Sequence, residues 1–215
     1  MVKNCVRLLR PVILLAALSV PGLAQDAKSI LNTVAREMGA GNLKAVQYSG
    51  SGSSYNEKGE HQVVSSYTRQ LDLNAGTSNL QIVRKHGTPP AAHTENQSIT
   101  AGSPWNVQFD FWLTPYGFLK GAMDNTAAAE TKTVDGETYK IVSFTLPGNH
   151  RVSGYINAKN MVERVEAHID NDVLIQSIFR DYQDFSGLKV PTIMLQKRAG
   201  MLSLAVIVKE AKLPS

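Results

Sequence analysis

The chain has 215 residues, of which 43 % are hydrophobic and 19 % are charged, and its formal net charge is +4. Its single cysteine, Cys5, excludes an intramolecular disulfide and a cysteine-rich metal site. The basic residues form no long cluster, so the composition excludes nucleic acid as an expected partner.

The N-terminus has the pattern of an export signal. Lys3, Arg7 and Arg10 precede an apolar run, PVILLAALSV, and the small residues of Gly-Leu-Ala follow it. The apolar run is shorter than the roughly 20 residues that cross a bilayer, so we expect cleavage after Ala24 and no transmembrane segment afterwards.

Residues 25–215 are then predicted to form a single β domain in a periplasmic or secreted protein. Cys5 is removed with the signal at residues 1–24, so no thiol remains. The signal also carries three of the 22 basic residues and none of the 18 acidic ones, so residues 25–215 contain 19 basic and 18 acidic residues. The high net charge of the whole chain is therefore largely a property of the signal.

The first predicted element of this domain is an amphipathic helix over 27–38. Ile30, Val34 and Met38 recur every four residues, and glycines end the pattern. The periodicity then changes to two, which predicts strands over 46–55, 62–73 and 80–83. Glycines alternate on one face of the first strand, at 50 and 52, and indicate a bend or the close approach of another group.

Residues 87–104 are rich in Gly, Pro, Thr, Asn and Ser, and predict a long surface loop with room for a short edge strand near Ser98. This segment leads into residues 105–118, which hold six of the chain's 15 aromatic residues. The alternation at 109–113 favours an extended strand. Thr114-Pro115 then predicts a helix that runs to about Met123.

The remainder reads as strands on short turns. Asp135-Gly136 predicts a tight hairpin, and Pro147-Gly148-Asn149 predicts the next turn. In all, about 10 to 11 strands follow from the pattern. The predicted fold is mainly β: a curved antiparallel sheet forms an incomplete, half β-barrel, with an N-terminal helix and a short aromatic helical lid.

The sequence contains no motif that identifies a reaction, a metal or a cofactor. The histidines form no His-x-His-x-Asp-His cluster, and His168-x-Asp170 is too weak a spacing to predict a metal site. No serine nucleophile lies on a strand-to-helix turn, and no Gly-rich loop opens a helix. The sequence therefore gives no reason to predict an enzyme, a metal ligand or a bound cofactor.

The aromatic block leaves two alternatives open, because its rings either fill a closed core or line an apolar cavity that binds a ligand. The candidates are aromatic and apolar side chains of the block and of the strands that face it. They are Trp105, Phe109, Phe111, Trp112, Tyr116, Phe118, Leu119 and Met123 from the block, and Tyr67, Tyr139, Tyr155 and Phe179 from the sheet.

The order of these elements resembles the LolA/LolB-like lipoprotein-carrier fold, whose members are periplasmic and bind acyl chains in an incomplete β-barrel. A closer resemblance is to the N-terminal accessory domain of secreted bacterial metallo-β-lactamase-fold hydrolases. It rests on the runs FWLTPYGFLK at 111–120, GYIN at 154–157 and VERVE at 162–166, and on the segment from Tyr182 through Asp184-Phe185 to Pro191-Thr192. In that family a hydrolase domain follows, whereas this chain stops at Ser215.

The resemblance implies a non-catalytic binding domain with an apolar concave cavity for a lipid, an acyl chain or a similar small hydrophobic molecule. The alternative is an accessory domain that contacts a separate hydrolase domain. Binding of a fatty acid would favour the first function, and a neighbouring reading frame with the hydrolase motif would favour the second.

Overall fold

A computed structural model of the chain describes residues 22–87 and 91–214. Most of the predicted signal therefore lies outside the described residues. The first helix, α1, begins at Gly22, so the predicted cleavage after Ala24 falls in its first turn. None of the helices in the described ranges is both long and apolar enough to cross a membrane.

The described residues form one antiparallel sheet of eleven strands and three α-helices, with one turn of 3-10 helix at Asp170–Asp172. The helices are α1 (Gly22–Glu37), α2 (Trp105–Trp112) and α3 (Pro115–Asp124). The strands are β1 (Ala45–Tyr55), β2 (His61–Asp72), β3 (Thr77–His86), β4 (Ala91–Ile99), β5 (Ala128–Val134), β6 (Glu137–Leu146), β7 (His150–Ile156), β8 (Val162–Ile169), β9 (Val173–Phe185), β10 (Leu188–Arg198) and β11 (Met201–Lys212).

Two meanders make up the sheet. The strand order is β4-β3-β2-β1-β11-β10-β9-β8-β7-β6-β5, so only the β1–β11 pair joins strands that are distant in sequence. The edge strands β4 and β5 do not pair with each other, and the sheet stays open. This arrangement confirms the predicted open, curved antiparallel sheet.

The predicted turns are present where the sequence places them. Asp135 and Gly136 have φ angles of 54° and 85°, the left-handed values that a two-residue hairpin between β5 and β6 requires. Gly148 and Asn149, with φ of 83° and 63°, turn β6 into β7. Glycine and Asn adopt this region at low cost, which explains why these turns are readable from sequence.

The glycines of β1 lie where β11 comes closest. A Cβ atom on Gly50 would stand 2.0 Å from the Ile207 carbonyl oxygen, and one on Gly52 would stand 1.9 Å from that of Ala205. The register of β1 also shifts beside both glycines. The predicted close approach is thus confirmed, and the approaching group is the backbone of the strand that joins the two meanders.

All three helices contribute to one core on the concave face of the sheet. The apolar stripe of α1 is buried, with Ala27, Leu31, Val34 and Met38 almost fully inaccessible. The Met38 carbonyl accepts a 2.9 Å hydrogen bond from the Lys189 amide, which fastens the end of α1 to β10. The predicted amphipathic helix is confirmed, and it packs beside α3 and β5.

The segment before α3 differs from its prediction in two ways. The expected edge strand near Ser98 is present, but this strand, β4, is longer than predicted and pairs with β3 from Ser78–Ile99 to His86–Ala91; residues 88–90 lie outside the described ranges. The expected extended strand at 109–113 belongs instead mostly to helix α2. Trp105, Phe109 and Trp112 have the i, i+4, i+7 spacing of one helix face, so the same segment also fits a helix.

Candidate functional site

Helix α3 fills the concave side of the sheet next to β6, β7 and β8. Phe118 is fully buried, and its ring lies where a Cβ on Gly154 of β7 would be, 2.2 Å from the ring carbon Cζ. The Phe118 and Phe144 ring centroids are 6.0 Å apart. The Tyr116 hydroxyl donates to the Lys189 carbonyl at 2.9 Å, and burial raises the pKa of Tyr116 well above its ordinary value. This helix is part of the core.

Helix α2 covers the sheet less completely. Among its residues Phe111 is fully buried, while the other seven are partly or fully exposed. At its first residue, the Trp105 ring stacks on His150 with centroids 4.3 Å apart. The Trp105 indole nitrogen donates to the His168 carbonyl at 2.8 Å. α2 therefore lies on the rim of the concave face and has the form of a lid.

A buried ion pair joins α2 to the sheet. The side chain of Arg69 on β2 is 4 % exposed, and that of Asp110 on α2 is 15 % exposed. Arg69 Nη2 lies 2.5 Å from Asp110 Oδ2, and Arg69 Nη1 donates to the Asp110 carbonyl at 3.2 Å. Gln196 Nε2 donates to Asp110 Oδ1 at 3.1 Å from β10. Asp110 is thus held by side chains from two strands that lie on opposite sides of β1 and β11.

The surroundings of Arg69 keep it charged. Burial opposes the charge, but the Asp110 carboxylate and the nearby rings of Tyr67 and Tyr48 outweigh that effect and raise the pKa of Arg69 well above its ordinary value. Arg69 Nε donates to the Tyr67 hydroxyl at 2.9 Å. Burial also raises the pKa of Tyr67 and, more strongly, that of Tyr48. The raised pKa keeps the Arg69 guanidinium charged in the physiological pH range.

The ion pair borders a small cavity of about 40 Å³ between the sheet, Asp110 of α2, and the residues Leu113 and Thr114 that join α2 to α3. Most side chains around it are apolar, although Thr114, Ser177 and Gln196 also contact it. The apolar and aromatic members are Tyr48, Tyr67, Leu113, Phe179, Met194, Leu195, Leu204 and Val206.

An open groove of about 500 Å³ begins on the other side of the ion pair. It runs over the concave face of β1 to β4 and past the ends of β10 and β11. Arg69, Asp110, Gln196 and Leu204 line both the groove and the small cavity. The Arg69–Asp110 pair is therefore part of the wall between an apolar space and a polar one.

The candidate residues predicted from sequence do not share one site. Phe111, Tyr116, Phe118 and Leu119 are buried in the core and fill the concave face. Phe109 lines the groove, and Tyr67 and Phe179 line the small cavity. Partly buried at the rim are Trp105 and Trp112, whereas Met123 is 44 % exposed at the end of α3.

Tyr139 and Tyr155 lie on the opposite, convex face, which corrects the expectation that they face the aromatic block. Gly154 faces Phe118, and neighbouring residues of a strand point to opposite faces, so Tyr155 points away from the helices. Tyr139 donates to Glu163 at 3.0 Å and Tyr155 donates to Glu166 at 2.6 Å. Burial and the hydrogen bond to Glu166 raise the pKa of Tyr155 to about 12.

The sequence reading missed Arg69, Asp110 and Gln196. A signal for Arg69 existed, because the two-residue period of β2 places it on the same face as Tyr67 and Leu71. Asp110 stands among five apolar or aromatic neighbours in VQFDFWL, which also marks it as unusual. No local pattern reveals that these two charges meet, since they are 41 residues apart.

The described residues contain no group of three or more His, Cys, Asp or Glu side chains that could hold a metal ion. His168 Nε2 lies 3.9 Å from Asp172 Oδ1, and both side chains are largely exposed. The site geometry that remains is one of burial, hydrogen bonding and apolar contact.

Two solved structures resemble this arrangement. A LolA superfamily protein from Nitrosomonas europaea has a TM-score of 0.56 and 14 % identity, over 88 % of this chain and 94 % of that one. The chain has a LolA-like fold. A putative outer membrane lipoprotein-sorting protein domain from Vibrio parahaemolyticus has a TM-score of 0.52 and 9 % identity, over 88 % of this chain and 92 % of the other.

No protein-family model matches the sequence, and no curated protein shows a significant match to it. The LolA-like resemblance read from the sequence is confirmed at the level of the fold. The closer resemblance to an accessory domain of metallo-β-lactamase-fold hydrolases stays a prediction.

Proposed function

We propose that this LolA-like domain binds a lipid, an acyl chain or a similar hydrophobic molecule on its concave face, and that it does so as an exported, periplasmic carrier. In this proposal α2 is the lid, α3 is the fixed floor, and the ligand enters between α2 and the strands around Arg69. The predicted signal at residues 1–24 supports export.

The observation that carries the proposal is the Arg69–Asp110 pair, since it holds the lid over an otherwise apolar space. A buried ion pair contributes little net stability, because the loss of hydration offsets most of the attraction. When α2 lifts, water hydrates both charges again. The free-energy difference between the open and closed forms is therefore smaller than it would be if an apolar contact of the same area were lost. Charges at this position therefore suit a lid that opens.

The small volume of the cavity requires α2 to move if a ligand binds there. At about 40 Å³ it is far below the roughly 300–1,000 Å³ of pockets that hold small molecules. An acyl chain beside Phe179, Met194 and Val206, which line this cavity, would need more space than the cavity holds while α2 stays in place. Ligand binding and displacement of α2 are accordingly a single event in this proposal.

The test uses lipid-free protein, an environment-sensitive fluorophore and hexadecanoic acid as competitor. We expect the fluorophore to bind and micromolar hexadecanoic acid to displace it. Met194→Trp fills the cavity and should weaken fluorophore binding at least about tenfold, because a well-packed interior has no room for both. Ile193→Trp, on the adjacent residue and the opposite face of β10, is the matched control.

Thermal unfolding of both variants verifies that they remain folded. Failure of micromolar hexadecanoic acid to displace the fluorophore from the wild-type protein would contradict the proposal. Equal binding by the folded Met194→Trp and Ile193→Trp proteins would place the ligand somewhere other than under α2.

A further inference from the structure

The groove beside the small cavity is lined by charged and polar side chains, which a purely apolar ligand would not need. Arg84, His93 and Glu95 line it from β3 and β4, Arg198 lines it from the end of β10, and Asn106 lines it from α2. At about 500 Å³ it lies within the size range of small-molecule sites. A site for hydrocarbon alone would have apolar walls here.

The charges along the groove are not balanced. Arg69 is matched by Asp110, and Arg84 forms an ion pair with Glu95 while its Nε donates to Ser54 at 3.0 Å. Arg198 forms no ion pair and no side-chain hydrogen bond with the described residues, and its side chain is exposed. Three guanidinium groups thus face two carboxylates, and the unmatched charge is positive.

Neutral hydrogen-bond donors extend this positive region. The amide side chains of Gln62 and Gln97 line the groove, as does that of Asn106. Carboxylate and phosphate oxygens accept from amide and guanidinium donors together, and bonds to a charged acceptor are the stronger ones. Both carboxylates are already engaged by arginines, so the groove offers a cationic ligand no free partner of opposite charge among the described residues.

The groove and the apolar cavity share a wall, formed by Arg69, Asp110, Gln196 and Leu204. A molecule that passes this wall when α2 lifts would have its hydrocarbon part beneath the lid and its other end among Arg84 and Arg198. We propose that the ligand of this domain is an amphiphile with an anionic head group, a carboxylate or a phosphate, and that Arg198 in the open groove binds that head group. This inference rests on the proposed function and specifies its ligand class.

The experiment compares three ligands with the same 16-carbon chain: hexadecanoic acid, hexadecyl phosphate and hexadecanol. Each displaces the fluorophore from lipid-free full-length protein at low ionic strength. We expect both anions to bind about tenfold or more tightly than hexadecanol, in line with one charge-assisted contact. The tighter of the two anions identifies whether the groove prefers a carboxylate or a phosphate.

Arg198→Gln should weaken both anions about tenfold and leave hexadecanol unchanged. Arg180→Gln is the control, because Arg180 is also exposed but lies beside Ile193 on the convex face. Added salt should reduce anion binding to the wild-type protein and have little effect on the Arg198→Gln protein. Arg198 is exposed, so its replacement is not expected to impair folding, which a thermal unfolding curve verifies.

The outcomes separate the two proposals. Equal affinities for the acid, the phosphate and the alcohol, with Arg198→Gln behaving as Arg180→Gln does, would overturn the anionic head-group site and leave hydrophobic-ligand binding intact. Failure of all three ligands to displace the fluorophore would overturn both.

Discussion

Helices α2 and α3 are adjacent in sequence and both contain five apolar residues, yet they pack on the sheet in different ways. In α3, every residue from Pro115 to Leu119 is buried, together with Gly121 and Ala122. In α2, Phe111 alone among the helix residues is buried. One helix is part of the core, and the other covers it.

The N-termini of the two helices also differ, because only α3 has a side-chain cap. Thr114 caps α3, since its hydroxyl accepts from the Gly117 amide at 3.0 Å, and Pro115 begins the helix. Pro104 precedes α2 and forms no side-chain cap. An eight-residue helix without a cap is marginal alone, so α2 depends on tertiary contacts such as Arg69–Asp110. In the proposed function this helix separates from the sheet while α3 stays in place.

The largest expected effect is on α3. Phe118→Ala should lower the free energy of unfolding by about 3–5 kcal/mol, because it leaves a cavity over Gly154 and beside Phe144. Met123→Ala on the same helix, at a 44 % exposed position, should cost less than about 1 kcal/mol. Urea unfolding measures both. Similar losses of unfolding free energy in the two variants would show that the buried Phe118 contributes no more to stability than the exposed Met123.

Asp110→Asn is expected to have a smaller effect on global stability and a local effect on α2. Leaving Arg69 buried and unpaired would cost about 3–5 kcal/mol if the lid stayed closed. Lifting α2 hydrates Arg69 instead, so we expect a global loss below about 3 kcal/mol, with faster hydrogen exchange in α2 and unchanged exchange in α3. Hydrogen-exchange mass spectrometry makes the comparison.

The double variant Arg69→Met/Asp110→Leu is the control for Asp110→Asn, because it removes the charges together. We expect it to restore slow hydrogen exchange in α2, because an apolar pair of similar size replaces the ion pair. If Asp110→Asn instead accelerated exchange equally in both helices, α2 and α3 would form one unit, and the distinction between lid and floor would be wrong.

The smallest expected effect concerns the junction between the helices. The Thr114 hydroxyl donates to the Phe111 carbonyl at 2.8 Å as well as accepting from Gly117. Thr114→Val keeps the shape and removes both bonds, so we expect a loss of about 1 kcal/mol, measured by thermal unfolding. Thr114→Ser retains the hydroxyl and should lose less. Equal losses in the two variants would show that the hydroxyl does not cap α3.

The parts of the site that were predictable are those that depend on interactions between residues close in sequence. The helix from Thr114-Pro115 was predicted because a hydroxyl cap and a proline act through the first turn alone. The aromatic spacing of α2 fits a strand and a helix alike, and contacts with β2 and β10 select the helix. Tyr155 lies on the convex face because the other face of β7, at Gly154, packs against Phe118. The GYIN run alone does not show which face of the strand contacts the helix.

The sequence by itself determined the sheet, its turns, helices α1 and α3, and the open LolA-like arrangement, because alternation, capping and left-handed turn residues act over a few positions. Tertiary structure decided how far the edge strand β4 extends and that α2 is a helix on the rim of the concave face. It also brought Arg69 and Asp110 together, since their contact joins residues 41 apart and forms only when the curved sheet and the lid are both in place.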